Sequence, residues 1–216
     1  MSDRGPHRGT PVPLHDISVL LGTGTPEWPG DTPFSCGWTT RIARGASVNL
    51  SAITSSPHVG THADAPLHVA DGLPASEALP LMAFVGPAVI WTVPPGARLL
   101  DPADLVTLLS GRIERLLVRT GCSIASGVFP AEWPALAPAA VHALLARGLR
   151  LLGVDAPSVD LRESTALDTH RALFEGGAFN IENLDLRAVA DGPCELIALP
   201  LRISGLDAAP VRAVVR

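Results

Sequence analysis

The chain contains no lysine and no tyrosine, and all sixteen of its basic residues are arginine. Without a lysine ammonium group, Schiff-base catalysis and a Walker-type phosphate loop are excluded. Without a phenol, no tyrosine can act as an acid or as a nucleophile. Any chemistry that this protein performs must therefore come from other side chains.

Cysteine is scarce, and its pattern excludes two further kinds of site. Cys36, Cys122 and Cys194 are far apart, odd in number and include no Cys-x-x-Cys pair. This spacing is typical of reduced thiols rather than of a disulfide framework. A zinc site built from thiolates is not expected either.

Long runs of charge and long apolar runs are also missing. The net charge of -5 is spread along the chain, which predicts no binding to nucleic acid or to an anionic membrane. Apolar runs such as residues 196–201 are far shorter than the roughly 20 residues of a membrane span. Residues 1–13 lack an apolar core and predict a flexible N-terminal tail rather than a signal peptide. We therefore expect a cytoplasmic protein with small-molecule partners.

The remaining sequence predicts one α/β domain over residues 14–216. The whole chain of 216 residues is 47% hydrophobic, which supplies ample side chains for a single core. Strands are expected near residues 14–21, 48–56, 83–93, 115–119, 151–155, 179–184, 195–202 and 211–215. Helices are expected after Asp101, over 138–147 with Gly148 as C-cap, and near 167–175. Because several strands lack a helix between them, a layered mixed sheet is favoured over a doubly wound parallel sheet.

The segment from His58 to His68 places three imidazoles and one carboxylate within eleven residues. Hydrolytic metal sites use these ligand types, and nitrogen and oxygen donors without thiolate suit zinc, manganese or iron. A helix would place His58 and His62 on one face, but Gly60 and Pro66 favour a strand end that turns into a loop. In extended backbone, His62 and Asp64 share one side. The alternative is that these histidines are ordinary polar loop residues.

A second pair of candidate ligands lies more than a hundred residues further along the chain. His170 falls on the predicted helix 167–175, and Glu182 falls in an apolar predicted strand. Each could be an ordinary residue, His170 half-buried on a helix and Glu182 in an ion pair. A charged residue in a buried strand is nevertheless rare unless it is paired or binds a metal.

The segment 56–68 resembles the signature of the cyclase-like metal-dependent hydrolases, Ser-Pro-His-Val-Gly-Thr-His-Ala-Asp-Ala-Pro-Leu-His in this chain. Supporting matches occur at residues 16–18, 28–34, 48–49, 153–160, 181–183 and 210–214. The loop around Trp28 and the chain's ending favour the formamidase branch of that family. The resemblance implies a fold of the swivelling β/β/α type, usually a homodimer.

Carried over by position, the resemblance makes His58, His62 and Asp64 ligands of one divalent metal ion, with Asp64 bridging to a second. His170 would bind the second ion and Glu182 would bridge both, the ions being zinc or manganese. His68 would be the general acid/base instead of a ligand. Trp28 would contact an aromatic substrate, although a Trp-Pro loop packed on itself is the alternative.

The implied reaction is hydrolysis of N-formyl-L-kynurenine to L-kynurenine and formate in tryptophan degradation. Two divalent ions can lower the pKa of a water molecule and polarise a carbonyl, and an imidazole can protonate the leaving arylamine. The alternatives are a related hydrolase acting on isatin or another cyclic amide, and a noncatalytic metal-binding protein.

Three further residues qualify the resemblance. Thr165 and Arg171 depart from the family pattern, which often has Ser-Lys-Thr before the helix and a His-His pair within it. The resemblance therefore does not define substrate contacts there. Asp155 is open to two interpretations, as the partner that orients a ligand imidazole or as a loop cap.

Overall fold

A seven-stranded mixed sheet forms the centre of the protein in the computed structural model, which describes residues 13–216. In spatial order its strands are β1 (His15–Asp16), β13 (Val214–Val215), β11 (Gly192–Ile197), β5 (Val85–Thr92), β7 (Arg115–Arg119), β9 (Leu151–Val154) and β10 (Phe179–Ile181). Neighbours from β1 to β5 are antiparallel, and neighbours from β5 to β10 are parallel. The predicted α/β fold with a mixed sheet is confirmed.

Both faces of this sheet are covered, because consecutive apolar residues of its central strands point to opposite sides. Leu116 and Val118 of β7 point into one hydrophobic cluster, whereas Leu117 between them points into the other. This alternation is the two-residue period of a strand buried on both faces. The core therefore consists of two apolar layers separated by the sheet.

Helices cover one face of the sheet. Helix α1 spans Pro138–Leu145 and helix α2 spans Asp168–Glu175, and both contribute to the cluster that contains Leu116. Helix α1 ends two residues before the predicted end at residue 147, with Ala146 instead of Gly148 as its C-cap; Gly148 follows in the left-handed region, with φ of 96°, and donates its N–H to the carbonyl oxygen of Leu145 at 2.9 Å. The helix expected after Asp101 is a 3-10 helix, Pro102–Leu105. Within the described chain, no helix is long and apolar enough to cross a membrane.

Three two-stranded sheets complete the strands of residues 13–216. They pair β2 (Ser35–Thr40) with β3 (Leu50–Thr54), β4 (His62–Asp64) with β12 (Ala208–Pro210), and β6 (Leu99–Leu100) with β8 (Ala135–Leu136). Ala63 of β4 packs into the cluster on the face opposite the helices. The order of layers is therefore small sheet, main sheet and helices, in agreement with the implied β/β/α arrangement.

Two predicted strands differ from the structure. The strand expected over 14–21 is reduced to β1, two residues long, followed by an isolated bridge from Ser18 to Leu184. The strand expected over 48–56 is β3, which pairs with β2 in an exposed hairpin outside the main sheet. Residues 1–12 lie outside the described residues, so the tail over 1–13 and the single domain over 14–216 stay predictions.

Candidate metal centre

The histidine-rich segment forms a tight turn followed by a short strand, as the loop interpretation predicted. Gly60 makes the turn with φ of 75°, in the left-handed region that favours glycine, and a Cβ atom there would contact the side chain of Leu21. The backbone conformation therefore favours glycine at this position. His62 and Asp64 follow on β4, two residues apart, so both face the same side. His68 ends the 3-10 turn Pro66–His68.

One group of candidate ligand atoms comes from this segment alone. Nδ1 of His58 lies 3.1 Å from Nε2 of His62 and 3.1 Å from Oδ1 of Asp64. Nε2 of His62 lies 3.3 Å from the same oxygen. Oδ1 of Asp64 is buried and accepts no hydrogen bond from residues 13–216. Such an orphaned carboxylate oxygen facing two ring nitrogens fits a bound cation.

A second group forms around the other oxygen of Asp64. Nε2 of His170, on α2, lies 3.1 Å from Oδ2 of Asp64 and 3.1 Å from Oε1 of Glu182. Glu182 directly follows β10 and forms an isolated bridge with His62, whose Nε2 lies 3.5 Å from Oε2 of Glu182. Asp64 and Glu182 therefore each direct one carboxylate oxygen towards the first group and the other oxygen towards the second group. The structure brings together all five residues predicted as metal ligands.

The hydrogen bonds behind the imidazoles orient their lone pairs towards these groups. Nδ1 of His62 lies 2.8 Å from the carbonyl oxygen of Gly60, and Nδ1 of His170 lies 2.6 Å from Oδ2 of Asp160. Because these oxygens can only accept, each Nδ1 carries an N–H, so Nε2 is the nitrogen that can bind a cation once its own proton is lost. Metal-bound histidines in proteins are oriented by such bonds. The donor set and its orientation therefore fit divalent cations.

The charges in this cluster also favour a cation. Burial lowers the pKa of His58 and His62, but the carboxylates outweigh it. Asp207 and Asp64 raise the pKa of His58 to about 9, and Asp64 and Glu182 raise that of His62 to about 10. Burial raises the pKa of Asp64, whereas the surrounding imidazoles hold it well below its usual range. A metal that binds here would displace protons from the imidazoles.

A cavity of about 290 Å³ opens onto this cluster. Its polar side includes His58, His62, His68 and Glu182, and its apolar side includes Trp28, Phe129, Leu161 and Leu167. Trp28 packs edge-on against Phe129 and Trp133, with ring centroids 5.6 and 5.8 Å apart, rather than on its own loop. His68 and Trp28, the predicted acid/base and the predicted substrate contact, therefore line one cavity.

Sequence reasoning missed three polar residues that hold the cluster. Asp160 lies behind His170, and Oδ2 of Asp207 lies 2.9 Å from Nε2 of His58. The amide of Asn180 donates to Oδ2 of Asp64 at 2.6 Å and to Oε1 of Glu182 at 3.2 Å. Asn180 and Asp160 stand within or beside the matched family segments, which is the signal that could have found them.

Two other residues have structural roles. Asp155 accepts hydrogen bonds from the backbone of Thr120 and Gly121, at 2.7 and 3.0 Å, so it caps a loop. The interpretation of Asp155 as the partner of a ligand imidazole is wrong, because Asp160 occupies that position. Arg171, which departs from the family pattern, donates to the carbonyl oxygen of Val69 at 2.7 Å and links α2 to the turn that carries His68.

A group of imidazoles and carboxylates that converge beside a cavity, as in this chain, is typical of metal-dependent hydrolases. The sequence profile of the Cyclase family matches residues 15–161. The chain therefore belongs to the Cyclase family.

Relatives cover almost the whole chain. A kynurenine formamidase from Salinibacter ruber is 46% identical over 209 residues, with 94% of this chain and 97% of the relative covered. A kynurenine formamidase from Bordetella avium is 42% identical over 203 residues, with the same coverage.

Solved structures share the fold. A potential metal-dependent hydrolase with cyclase activity superposes with a TM-score of 0.80 at 28% identity, covering 94% of this chain and 96% of the other. Isatin hydrolase A from Labrenzia aggregata superposes with a TM-score of 0.80 at 24% identity, covering 94% and 93%. At that identity, the second likeness concerns the fold alone.

Proposed function

We propose that this protein is an arylformamidase that hydrolyses N-formyl-L-kynurenine to L-kynurenine and formate. The observation that carries the proposal is that aromatic side chains and the cluster of imidazoles and carboxylates line the same cavity. The two kynurenine formamidases at 46% and 42% identity support the same substrate. The cavity volume, about 290 Å³, lies at the small end of the range for ligand sites and suits a compact substrate.

The protein would hold two divalent cations through one shared set of ligands. His58, His62 and Asp64 would hold the first, and His170 would hold the second together with Asp64 and Glu182. When bound, such ions lower the pKa of a water molecule and polarise the carbonyl under attack. We propose zinc, with manganese as the other candidate, because both accept imidazole and carboxylate ligands.

His68 would move the proton that the reaction requires. Its ring lies 4.6 Å from that of His58 between centroids, and it lines the cavity. An imidazole can accept a proton from the attacking water and deliver it to the departing arylamine nitrogen. A positioned acid/base has no use in a protein that only stores metal, which weighs against the noncatalytic alternative.

Trp28 and Phe129 would bind the aromatic ring of the substrate. Their rings meet edge-on, and Trp28, which is 40% exposed, lines the cavity. Stacking there would direct the formyl group on the arylamine nitrogen towards the ligand cluster. This arrangement would make the aromatic residues determinants of substrate affinity.

A comparison of substrates tests this proposal. We would measure kcat/KM of the metal-loaded protein for N-formyl-L-kynurenine, formanilide and isatin under one set of conditions. The proposal expects the highest value for N-formyl-L-kynurenine and a lower value for formanilide, which lacks the amino-acid side chain. A higher value for isatin would favour the alternative of a cyclic-amide hydrolase.

We also propose a cytoplasmic homodimer, following the sequence-based expectation. The hairpin of β2 and β3 supports a partner subunit, because it packs two strands against each other with every residue exposed. An isolated two-stranded hairpin is marginally stable in water. Its side chains Trp38, Leu50 and Ile53 are 54%, 52% and 70% exposed, and a second copy of this chain would cover them.

A further inference from the structure

The carboxylate of Asp207 connects the metal ligand cluster to the proposed acid/base. One oxygen, Oδ2, lies 2.9 Å from Nε2 of His58 and 3.2 Å from Nδ1 of His68. A carboxylate oxygen can accept two hydrogen bonds, so it serves both rings at once. Asp207 is the group shared by a predicted ligand and the predicted acid/base.

The backbone around Asp207 is hydrogen-bonded to the segment that carries the metal ligands. The N–H of Ala65 donates to the carbonyl oxygen of Asp207 at 2.8 Å, and Ala208 pairs with Asp64 in the small sheet. Two residues before Asp207, Gly205 donates its N–H to the carboxylate of Glu77 at 3.0 Å. The side chain of Asp207 thus extends from a segment that is hydrogen-bonded to the strand carrying the metal ligands.

These two hydrogen bonds define which nitrogen of each ring is free. With its N–H donated from Nε2 to Asp207, His58 binds a cation through Nδ1, the atom that faces His62 and Asp64, once that nitrogen has lost its proton. With its N–H donated from Nδ1, His68 keeps a lone pair on Nε2 for proton transfer. Without Asp207, both rings could take the other tautomer or rotate.

We propose that Asp207 is a positioning residue that sets the tautomer and orientation of His58 and His68 together. It would thereby couple metal affinity to proton transfer through a single carboxylate. The part concerning His68 rests on the proposed function, whereas the part concerning His58 and metal binding does not. Loss of such an orienting partner typically lowers metal affinity or activity ten- to a hundredfold.

The test compares Asp207→Asn with Glu77→Gln, which perturbs the same loop without contacting either histidine. Asparagine removes the negative charge, so its oxygen would accept both N–H groups more weakly, and with the amide turned over its NH2 group would favour the opposite tautomer in both rings. Zinc affinity is measured by competition with a chromophoric chelator. At saturating zinc, kcat and KM are then measured with N-formyl-L-kynurenine.

We expect Asp207→Asn to lower zinc affinity about tenfold or more, and to lower kcat at saturating zinc about tenfold or more while KM changes less than about threefold. Glu77→Gln should keep both values near those of the wild type. Equal effects of the two variants, or a zinc affinity of Asp207→Asn within about twofold of wild type, would overturn the proposal. If wild-type protein bound zinc but did not hydrolyse N-formyl-L-kynurenine, the proposed function would be refuted. The zinc affinities of the variants would still show whether Asp207 positions His58.

Discussion

Replacing Asp160 by asparagine tests whether the hydrogen bond behind His170 sets metal affinity. Oδ2 of Asp160 lies 2.6 Å from Nδ1 of His170, and both side chains are buried. The same carboxylate accepts the N–H groups of Thr169 and His170, at 2.9 and 3.2 Å, in the first turn of α2. Asp160 therefore fixes both the imidazole and the helix that carries it.

The size of the effect follows from the loss of charge and the change of tautomer. Asparagine keeps the shape of the side chain but not its charge. With the amide oxygen at His170, the bond to Nδ1 is weakened and the NH2 group opposes the N–H of Thr169; with the NH2 group at His170, the proton moves to Nε2, which faces Asp64 and Glu182. We expect metal affinity to fall ten- to a hundredfold, or about 1.4–2.8 kcal/mol. The weakened helix cap should cost about 1 kcal/mol of folding stability, so the variant should still fold.

Competition with a chromophoric chelator measures the affinity, and a thermal melt measures the stability. Asp101→Asn is the matched control, because Asp101 immediately precedes a short 3-10 helix, Pro102–Leu105, elsewhere in the chain. The control should retain the metal affinity of the wild type. If Asp160→Asn bound zinc within about twofold of both proteins, the proposed role of the carboxylate would be refuted.

Four other perturbations test separate parts of the site. His68→Ala should lower kcat by about 10²–10⁴ while metal content by elemental analysis stays near that of the wild type; loss of metal would make His68 a ligand. Without metal, the raised pKa values of His58 and His62, about 9 and 10, stabilise the fold fully below pH 6.5, and this stabilisation is lost as pH rises to 10. The melting temperature of metal-free protein should therefore fall more steeply over that range than that of zinc-loaded protein, and parallel curves would contradict the assignment. Trp28→Ala should raise KM for N-formyl-L-kynurenine more than it lowers kcat, and an unchanged KM would remove Trp28 from the substrate site. Ile53→Lys, on the exposed hairpin, should convert a dimer into monomers in light scattering, whereas an unchanged mass would exclude the hairpin from the interface.

The local part of the site could be predicted because its ligand types are concentrated in one short segment. Histidine and aspartate at 58, 62 and 64 form a dense pattern, and Gly60 marks the turn that orients them. The distant ligands His170 and Glu182 depended on family resemblance and on the rarity of a charge in an apolar strand. Neither residue has a local pattern that indicates a metal.

Among the partners of these ligands, Asp207 could not be predicted, since its role depends on contacts between distant parts of the chain. Asp207 lies 149 residues from His58 and 139 from His68, and a single aspartate near the chain's end carries no periodic signal. The strands β4 and β12, which bring them together, have three residues each. Strands of that length are too short for alternation of apolar and polar residues to be recognised.

The fold was predicted better in its centre than at its edges. The middle of β7, residues 116–118, and the strand β9 are apolar runs buried on both faces, a pattern that is clear in sequence. The strand β3 was also expected, but its exposed pairing with β2 was not, because propensity indicates that a strand forms and not which partner it chooses. Tertiary contacts decide that choice.

Hydrolysis of N-formyl-L-kynurenine by metal-stripped and reconstituted protein tests the central claim most directly. The protein is dialysed against a chelator, its metal content is determined, and kynurenine formation is followed before and after zinc or manganese is added. We expect activity to disappear with the metal and to return on reconstitution, with the largest rate near two ions per chain. Full activity in protein that retains no metal, or no activity at two bound ions per chain, would contradict a binuclear arylformamidase.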